Sequence, residues 1–349
     1  MKHSVYRIMV SAIALTLLSA LPLFSAGRTE PSTSELSIAV FVPGVVSGSP
    51  VYEMLVAGAQ NAVNEAVAAG TKVSLTVIEA GTRQADWGTK MVSTAAEGGY
   101  SLIITSNPAM PEIIEPITLL FPKQDFLVFD AKHEGNPAIT TFRYNQREQA
   151  YISGYMAALV SSSSMTHANK AKKIGLIAGQ EYPAMTEIIL PAYTEGARAV
   201  DPSFEIDFRV VGNWYDASRG SDLARAMQNA GCDVIMPISG GANQGVIAAA
   251  KELSFYIAWF DDNGYGKAPS LVISSAIMAQ EKLVHEQVAA YINGTLKKGV
   301  HTTVGMTDGY IAFVSEDERY IETVPLALRQ QMKAMLARIA DGSLALPSR

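Results

Sequence analysis

Residues 233–253 read DVIMPISGGANQGVIAAAKEL. The apolar run 233–237 is too short for a helix and carries no polar face, which suits a strand covered on both sides. Gly240-Gly241 then breaks the run, and 242–253 returns apolar residues at helical spacing. Strand, glycine turn and helix make half of a βαβ unit.

Read outward, the same unit recurs along the chain. Strands are expected at 36–42, 72–78, 101–105, 126–130 and 139–142, and again at 173–177, 205–211, 233–237, 256–260 and 271–275. Helical patterns fill 51–69, 85–98, 110–121, 146–160, 183–200, 218–231, 242–253 and 276–294. The strands form two sets, divided after Phe142 by the helix 146–160 and the polar stretch 161–172, SSSSMTHANKAK. The expected fold class is α/β: two doubly wound parallel-sheet lobes with a ligand cleft between them. In such sheets ligands sit beyond the carboxyl ends of the strands. That nominates loops 43–52, 79–86, 105–110, 130–136, 179–185, 212–218, 238–245 and 261–266.

The bulk composition excludes several classes. Hydrophobic residues make up 48% and charged residues 17% of the 349, enough apolar material for large cores. The net charge is −6 and no basic tract occurs, so nucleic acid is not expected as a partner. Cys232 is the one cysteine, so no intramolecular disulfide forms; following Gly231 and leading into Val234-Ile235-Met236, it reads as a buried, inert thiol. His3, His133, His167, His285 and His301 show no metal-ligand spacing, and neither metal nor cofactor is expected. At the amino end, Lys2 and Arg7 precede the apolar run Ile8 to Leu21 and the small residues Ser25-Ala26-Gly27. This is the pattern of a secretory signal peptide, 1–27, with a permanent membrane anchor as the competing reading; export, to the periplasm or the cell membrane's outer face, is the expectation. The polar stretch 28–35 reads as a linker, and Arg28 stands where a lipoprotein carries its cysteine.

Four loops carry groups suited to ligand capture. Ser49 and Tyr52 lie in PGVVSGSPVY, 43–52, which reads either as a helix-capping turn or as a binding loop. It lacks dinucleotide and P-loop spacing. Trp214-Tyr215-Asp216 offers one ring to the core, one to a flat ligand, and a helix cap at Asp216. Gly240 and Gly241 let backbone N–H groups approach a ligand, or let strand and helix pack closely. Asp130 and the pair Asp261-Asp262 end strands, where carboxylates accept hydrogen bonds from ligand N–H or O–H groups. Paired acids also occur in hydrolases, but no residue here is assigned a catalytic role.

At these positions the chain resembles the basic membrane protein family of solute-binding lipoproteins, whose best-understood members bind purine nucleosides. The resemblance rests on Phe126 to Ala131, Glu148-Gln149-Ala150-Tyr151-Ile152-Ser153-Gly154, Tyr193 to Gly196 with Val200-Asp201-Pro202, Trp214 to Gly220, and Val234 to Gly245. It implies the type I periplasmic binding protein fold, with three crossovers between lobes. Lobe 1 would comprise 36–142 and 276–306, and lobe 2 would comprise 143–275 and 307–349. It further implies that Asp130 and Asp261 contact base and ribose, that Trp214 or Tyr215 stacks, and that Gly240 and Gly241 line the floor. A monomer that delivers its ligand to an ABC transporter permease is expected.

Two departures bear on the ligand. Val51-Tyr52 stands where nucleoside binders carry Phe-Asn, and Met278 stands where they carry a ribose-holding lysine. An added ring and a lost clamp suit a larger, flatter ligand. A branch of the family in spirochaetes resembles a riboflavin-binding importer component, so riboflavin is the expected ligand and purine nucleosides the alternative. A nucleosidase-type enzyme and a ligand sensor are rival classes. A sugar-type repressor would need a helix-turn-helix where the signal peptide lies.

Overall fold

The computed structural model describes residues 36–348; the expected signal peptide and linker lie outside the described residues. Along the chain run β1 (Leu36–Val42), α1 (Pro50–Ala68), β2 (Val73–Glu79), α2 (Trp87–Glu97), β3 (Leu102–Ser106), α3 (Met110–Leu120), β4 (Asp125–Phe129) and β5 (Ile139–Tyr144). Next come α4 (Gln146–Ser161), β6 (Lys173–Ala178), α5 (Leu190–Val200), β7 (Glu205–Val210), α6 (Ala217–Asn229), β8 (Val234–Ile238), α7 (Asn243–Leu253), β9 (Tyr256–Asp261) and β10 (Val272–Met278). The chain closes with α8 (Gln280–Ile292), β11 (His301–Val304), β12 (Ile311–Phe313), α9 (Glu318–Thr323) and α10 (Leu326–Ala340).

Two six-stranded sheets result, ordered β11-β5-β4-β3-β1-β2 and β12-β10-β9-β8-β6-β7. Every pairing is parallel except β10 with β12. The two orders match strand for strand, β1 to β5 against β6 to β10. Each sheet takes its sixth strand from the last part of the chain. Burial follows the order: β3 and β8 are buried throughout, while edge strands β2 and β7 are largely exposed or half-exposed. Parallel strands covered on both faces need the continuous apolar runs seen in the sequence.

The chain crosses between sheets three times: from β5 to α4, from β10 to α8, and from β11 to β12. α4 begins at the first crossover and is buried on every face, with Arg147 and Tyr155 alone partly exposed. Its partner is α5. A Cβ on Gly154 would lie 2.0 Å from the Tyr193 carbonyl oxygen, and one on Gly196 would lie 2.1 Å from that of Tyr151. Only glycine allows this approach, which accounts for the glycines ending two of the resemblance motifs.

The structure adds α9 and α10, which no expected helix covered, and departs from the expected elements at three further places. The helix expected at 276–294 starts at Gln280, because Ala276 to Met278 extend β10 and pair with β12. The helix expected at 183–200 opens as a wide π-type turn, Met185–Ile189. Pro191 has no N–H and would clash with an α-helical carbonyl four residues back, and the wider turn relieves this. β11 and β12 have four and three residues, too few to show a period in the sequence.

Candidate ligand-binding site

The carboxyl ends of the two sheets face each other across a partly open cavity of about 230 Å³. All eight residues nominated from sequence line it: Ser49, Tyr52, Asp130, Trp214, Tyr215, Gly240, Gly241 and Asp261. The loops set that placement. Pro50 starts α1 with a ring suited to the first helical turn, and this aims Ser49 and Tyr52 inward. Asp130 follows β4, and Asp261 ends β9, the matching strand of the other sheet.

The two aspartates share a backbone feature. Asp130 has φ 51° and Asp261 φ 78°, a left-handed conformation that non-glycine residues seldom adopt. Such strain persists where surrounding structure holds it and gathers at ligand sites. Both side chains are exposed only in part and line the cavity. Burial pushes the Asp130 carboxyl up to about 7, against the pull of the Arg143 guanidinium. Burial also holds Asp261 well above the carboxylate range, reinforced by the negative charges of Asp130 and Asp262 and opposed by the Gln149 amide. Near neutral pH Asp130 can therefore accept hydrogen bonds as a carboxylate or donate them as an acid, while burial favours the protonated, donating form of Asp261.

Aromatic rings enter from both lobes. Trp214 lies flat on Gly179, where a Cβ would sit 2.4 Å from its ring. Its indole N–H donates to Gln180 Oε1 at 3.2 Å, and Tyr182 tilts against it at 6.0 Å between centroids. Tyr215 packs beside Gly241 and reaches across the cleft; its hydroxyl accepts from the Val45 backbone N–H of the facing lobe. A Cβ on Gly44 would lie 2.5 Å from that hydroxyl, so the loop needs glycine there to admit it. Both rings are thus half-buried, where the sequence reading assigned one to the core. Tyr52 is buried; its hydroxyl donates to the Pro43 carbonyl at 3.0 Å and accepts from Asn107 Nδ2 at 3.3 Å.

Several lining residues escaped the sequence reading. Gln180, Tyr182, Asn107 and Gln84 fall in the nominated loops but carry no motif of their own, and Asn243 lies in the glycine motif without having been singled out. Trp87 and Phe260 lie just outside them, and Gln146, ten residues past loop 130–136, opens the buried helix α4. Other nominated groups turn away. Asp216 caps α6 by accepting from the Arg219 N–H at 2.9 Å. Asp262 pairs with Lys267 at 3.0 Å and accepts from the Trp259 indole. Met278 is buried at the end of β10 and lines a neighbouring groove, not the cavity. Cys232 is buried, and burial pushes its thiol up to about 12, so it is unreactive. Among the described residues no cluster of His, Cys, Asp and Glu could hold a metal ion. No helix among them is long and apolar enough to cross a membrane.

Known proteins share this architecture. The chain is similar to an ABC transporter solute-binding protein from Aeropyrum pernix K1, with TM-score 0.78 and 17% identity over 90% of this chain and 94% of that one. It also resembles a transcriptional activator of the comK gene from Bacillus halodurans, with TM-score 0.69 and 19% identity over 88% and 99% of the two chains. At these identities the likeness speaks for the fold. In sequence it is 23% identical to the ABC transporter nucleoside-binding protein BmpA of Lactococcus lactis, over 74% of each chain. It is 28% identical to basic membrane protein D of Borreliella burgdorferi, over 49% of this chain and 48% of that one. Residues 35–342 match the family model described as Bmp, ABC transporter substrate-binding protein PnrA-like. With that match spanning the two sheets and the cavity between them, the chain belongs to the Bmp family of ABC transporter substrate-binding proteins.

Proposed function

We propose that this substrate-binding protein captures a flat heteroaromatic molecule with a polar tail, riboflavin foremost, outside the cytoplasmic membrane. One observation carries the reading: rings from both lobes face a single cavity that also holds two buried acids. Tyr52 and Trp87 approach from one lobe, and Tyr182, Trp214, Tyr215 and Phe260 from the other. Closing the lobes brings the two sets together on the faces of a planar ring system, where stacking and apolar burial supply affinity. Asp130, Asp261 and the side-chain amides Asn107, Gln146, Gln180 and Asn243 satisfy polar edges. They discriminate against any ligand that leaves them unpaired. Ser49, Gly240 and Gly241 add backbone and hydroxyl contacts at the helix starts.

The function is capture without turnover. The filled, closed lobes would present themselves as a monomer to the permease of an ABC importer, and the amino-terminal pattern supports export. A purine nucleoside is the second reading, favoured by the nucleoside-binding relative in Lactococcus lactis.

The test is direct. The purified protein is examined for visible absorption and then titrated with riboflavin, following flavin fluorescence. A yellow preparation, or saturable quenching weakened by Trp214→Ala and Tyr215→Ala, supports the flavin reading. A colourless protein without quenching ends it. Saturable binding of inosine or adenosine by calorimetry would then establish the nucleoside reading.

A further inference from the structure

The sequence motif at the start of α4 has a role that the ligand contacts do not explain. Gln146 and Gln149 are three residues apart and so share one face of the helix. Gln146 Nε2 donates to Asp130 Oδ1 at 3.0 Å, reaching from the first crossover to the acid of the facing lobe. Gln149 is fully buried; its Nε2 donates to the Ala276 carbonyl at 2.9 Å, and its amide stands near enough to Asp261 to favour that acid's charged form. One helical turn therefore touches both cleft acids.

That turn is itself held at the crossovers. The Asn145 N–H donates to the Val304 carbonyl at 2.7 Å, and Glu148 Oε2 accepts from the Met306 N–H at 2.7 Å. Glu148 also fills the space where a Cβ on Gly305 would stand, 2.7 Å away. A movement of the lobes about the crossovers thus bears on the two glutamines.

Two buried polar atoms beside the acids have no partner among the described residues: Gln149 Oε1 and the Tyr144 hydroxyl. Tyr144 precedes this turn at the end of β5 and feels the charges of both Asp130 and Asp261.

We propose that Gln146 and Gln149 position both cleft aspartates and set how tightly the pair holds its proton, their amide N–H groups favouring the charged form against burial, so that ligand binding in this cavity is linked to proton exchange. The groups facing the pair set its balance. Arg143 on β5 favours the charged form of Asp130. Tyr52 on α1, Tyr144 on β5 and Tyr182 after β6 feel Asp130's charge as neutral phenols. Asp262, paired with Lys267, adds negative charge beside Asp261. Two carboxylates in one low-dielectric cavity titrate as a unit, the first ionisation opposing the second. The inference deepens the ligand-binding reading and rests on it for its second half.

The first half is tested without ligand. Aspartate side-chain carboxyl carbons are followed by NMR from pH 4 to pH 9 in the purified protein and in Gln146→Met. The expected result is one aspartate titrating near or above neutrality. In Gln146→Met the Asp130 midpoint rises by about one pH unit, tenfold in proton affinity. Gln149→Met should move the Asp261 midpoint, and Gln146 stands as the independent case should that variant not fold. Ionisation of both acids below pH 5 in the wild type, or a midpoint unmoved in Gln146→Met, overturns the proposal.

The second half uses riboflavin and inosine calorimetry in two buffers of different ionisation enthalpy at pH 7. A net proton exchange that Asp130→Asn abolishes supports the linkage, and its absence on binding refutes it. Gln146→Glu, which donates only when protonated, should shift tightest binding to lower pH. If neither compound binds the wild type, the ligand reading fails, while the NMR midpoints still decide the role of the glutamines.

Discussion

Replacing Asp130 by asparagine should make the ligand-free protein more stable at pH 8 and leave it nearly unchanged at pH 4. Burial raises this carboxyl from an ordinary 3.8 to about 7. A group whose folded-state value lies above its unfolded value holds its proton more tightly when folded. Its stabilising contribution is full below pH 3.8 and is lost as pH rises through about 7. The gap corresponds to an upper bound of about 4 kcal/mol. Solvent entering the cavity and the attraction of Arg143 reduce it, so a gain on the order of 2 kcal/mol at pH 8 is expected. Asparagine keeps an Oδ1 to accept from Gln146 and tolerates the φ of 51° that the position requires. Neither packing nor backbone should therefore offset the gain. Urea denaturation of ligand-free wild type and variant at unit steps from pH 4 to pH 8, extrapolated linearly, reads the difference. The wild-type curve should fall between pH 4 and pH 7 relative to that of the variant. Parallel curves, or a variant less stable at pH 8, would refute the claim that burial holds this acid in its neutral form.

Three further outcomes follow from the packing. Gly154→Ala should destabilise the fold by about 3 kcal/mol or prevent folding, because its Cβ meets the Tyr193 carbonyl across the α4–α5 contact; urea midpoints check this. Gly179→Ala should displace the Trp214 indole that lies flat upon it, changing tryptophan fluorescence and weakening the tested ligand about tenfold, or about 1.4 kcal/mol. An unchanged spectrum and affinity would show that the ring is not set by that glycine. Tyr215→Phe removes the acceptor for the Val45 N–H of the opposite lobe, worth about 1 kcal/mol. It should speed ligand release about fivefold in stopped-flow traces and lower urea stability by no more than about 1 kcal/mol.

The inner strands were readable from the chain because parallel strands buried on both faces are continuous apolar runs, as at 234–238 and 102–106. Short edge elements such as β11 and β12 were not, since their positions come from pairing with Ile139–Tyr144 and Val272–Met278. The nominated loops contained most of the cavity lining because topology puts strand ends at the cleft. Gln146 and Trp87 lay beyond that rule, their side chains aimed by the packing of whole helices.

The sequence by itself determined the α/β class, the division into two sets of strands and the loops that meet at the cleft. These follow from period, run length and turn residues, all local properties. Only the tertiary structure decided that Asp130 and Asp261 occupy matching positions in one cavity, that Asp262 and Met278 face elsewhere, and that Tyr215 spans the lobes. Desolvation, charge coupling and contacts between lobes depend on which distant segments share a volume, and no local pattern encodes that.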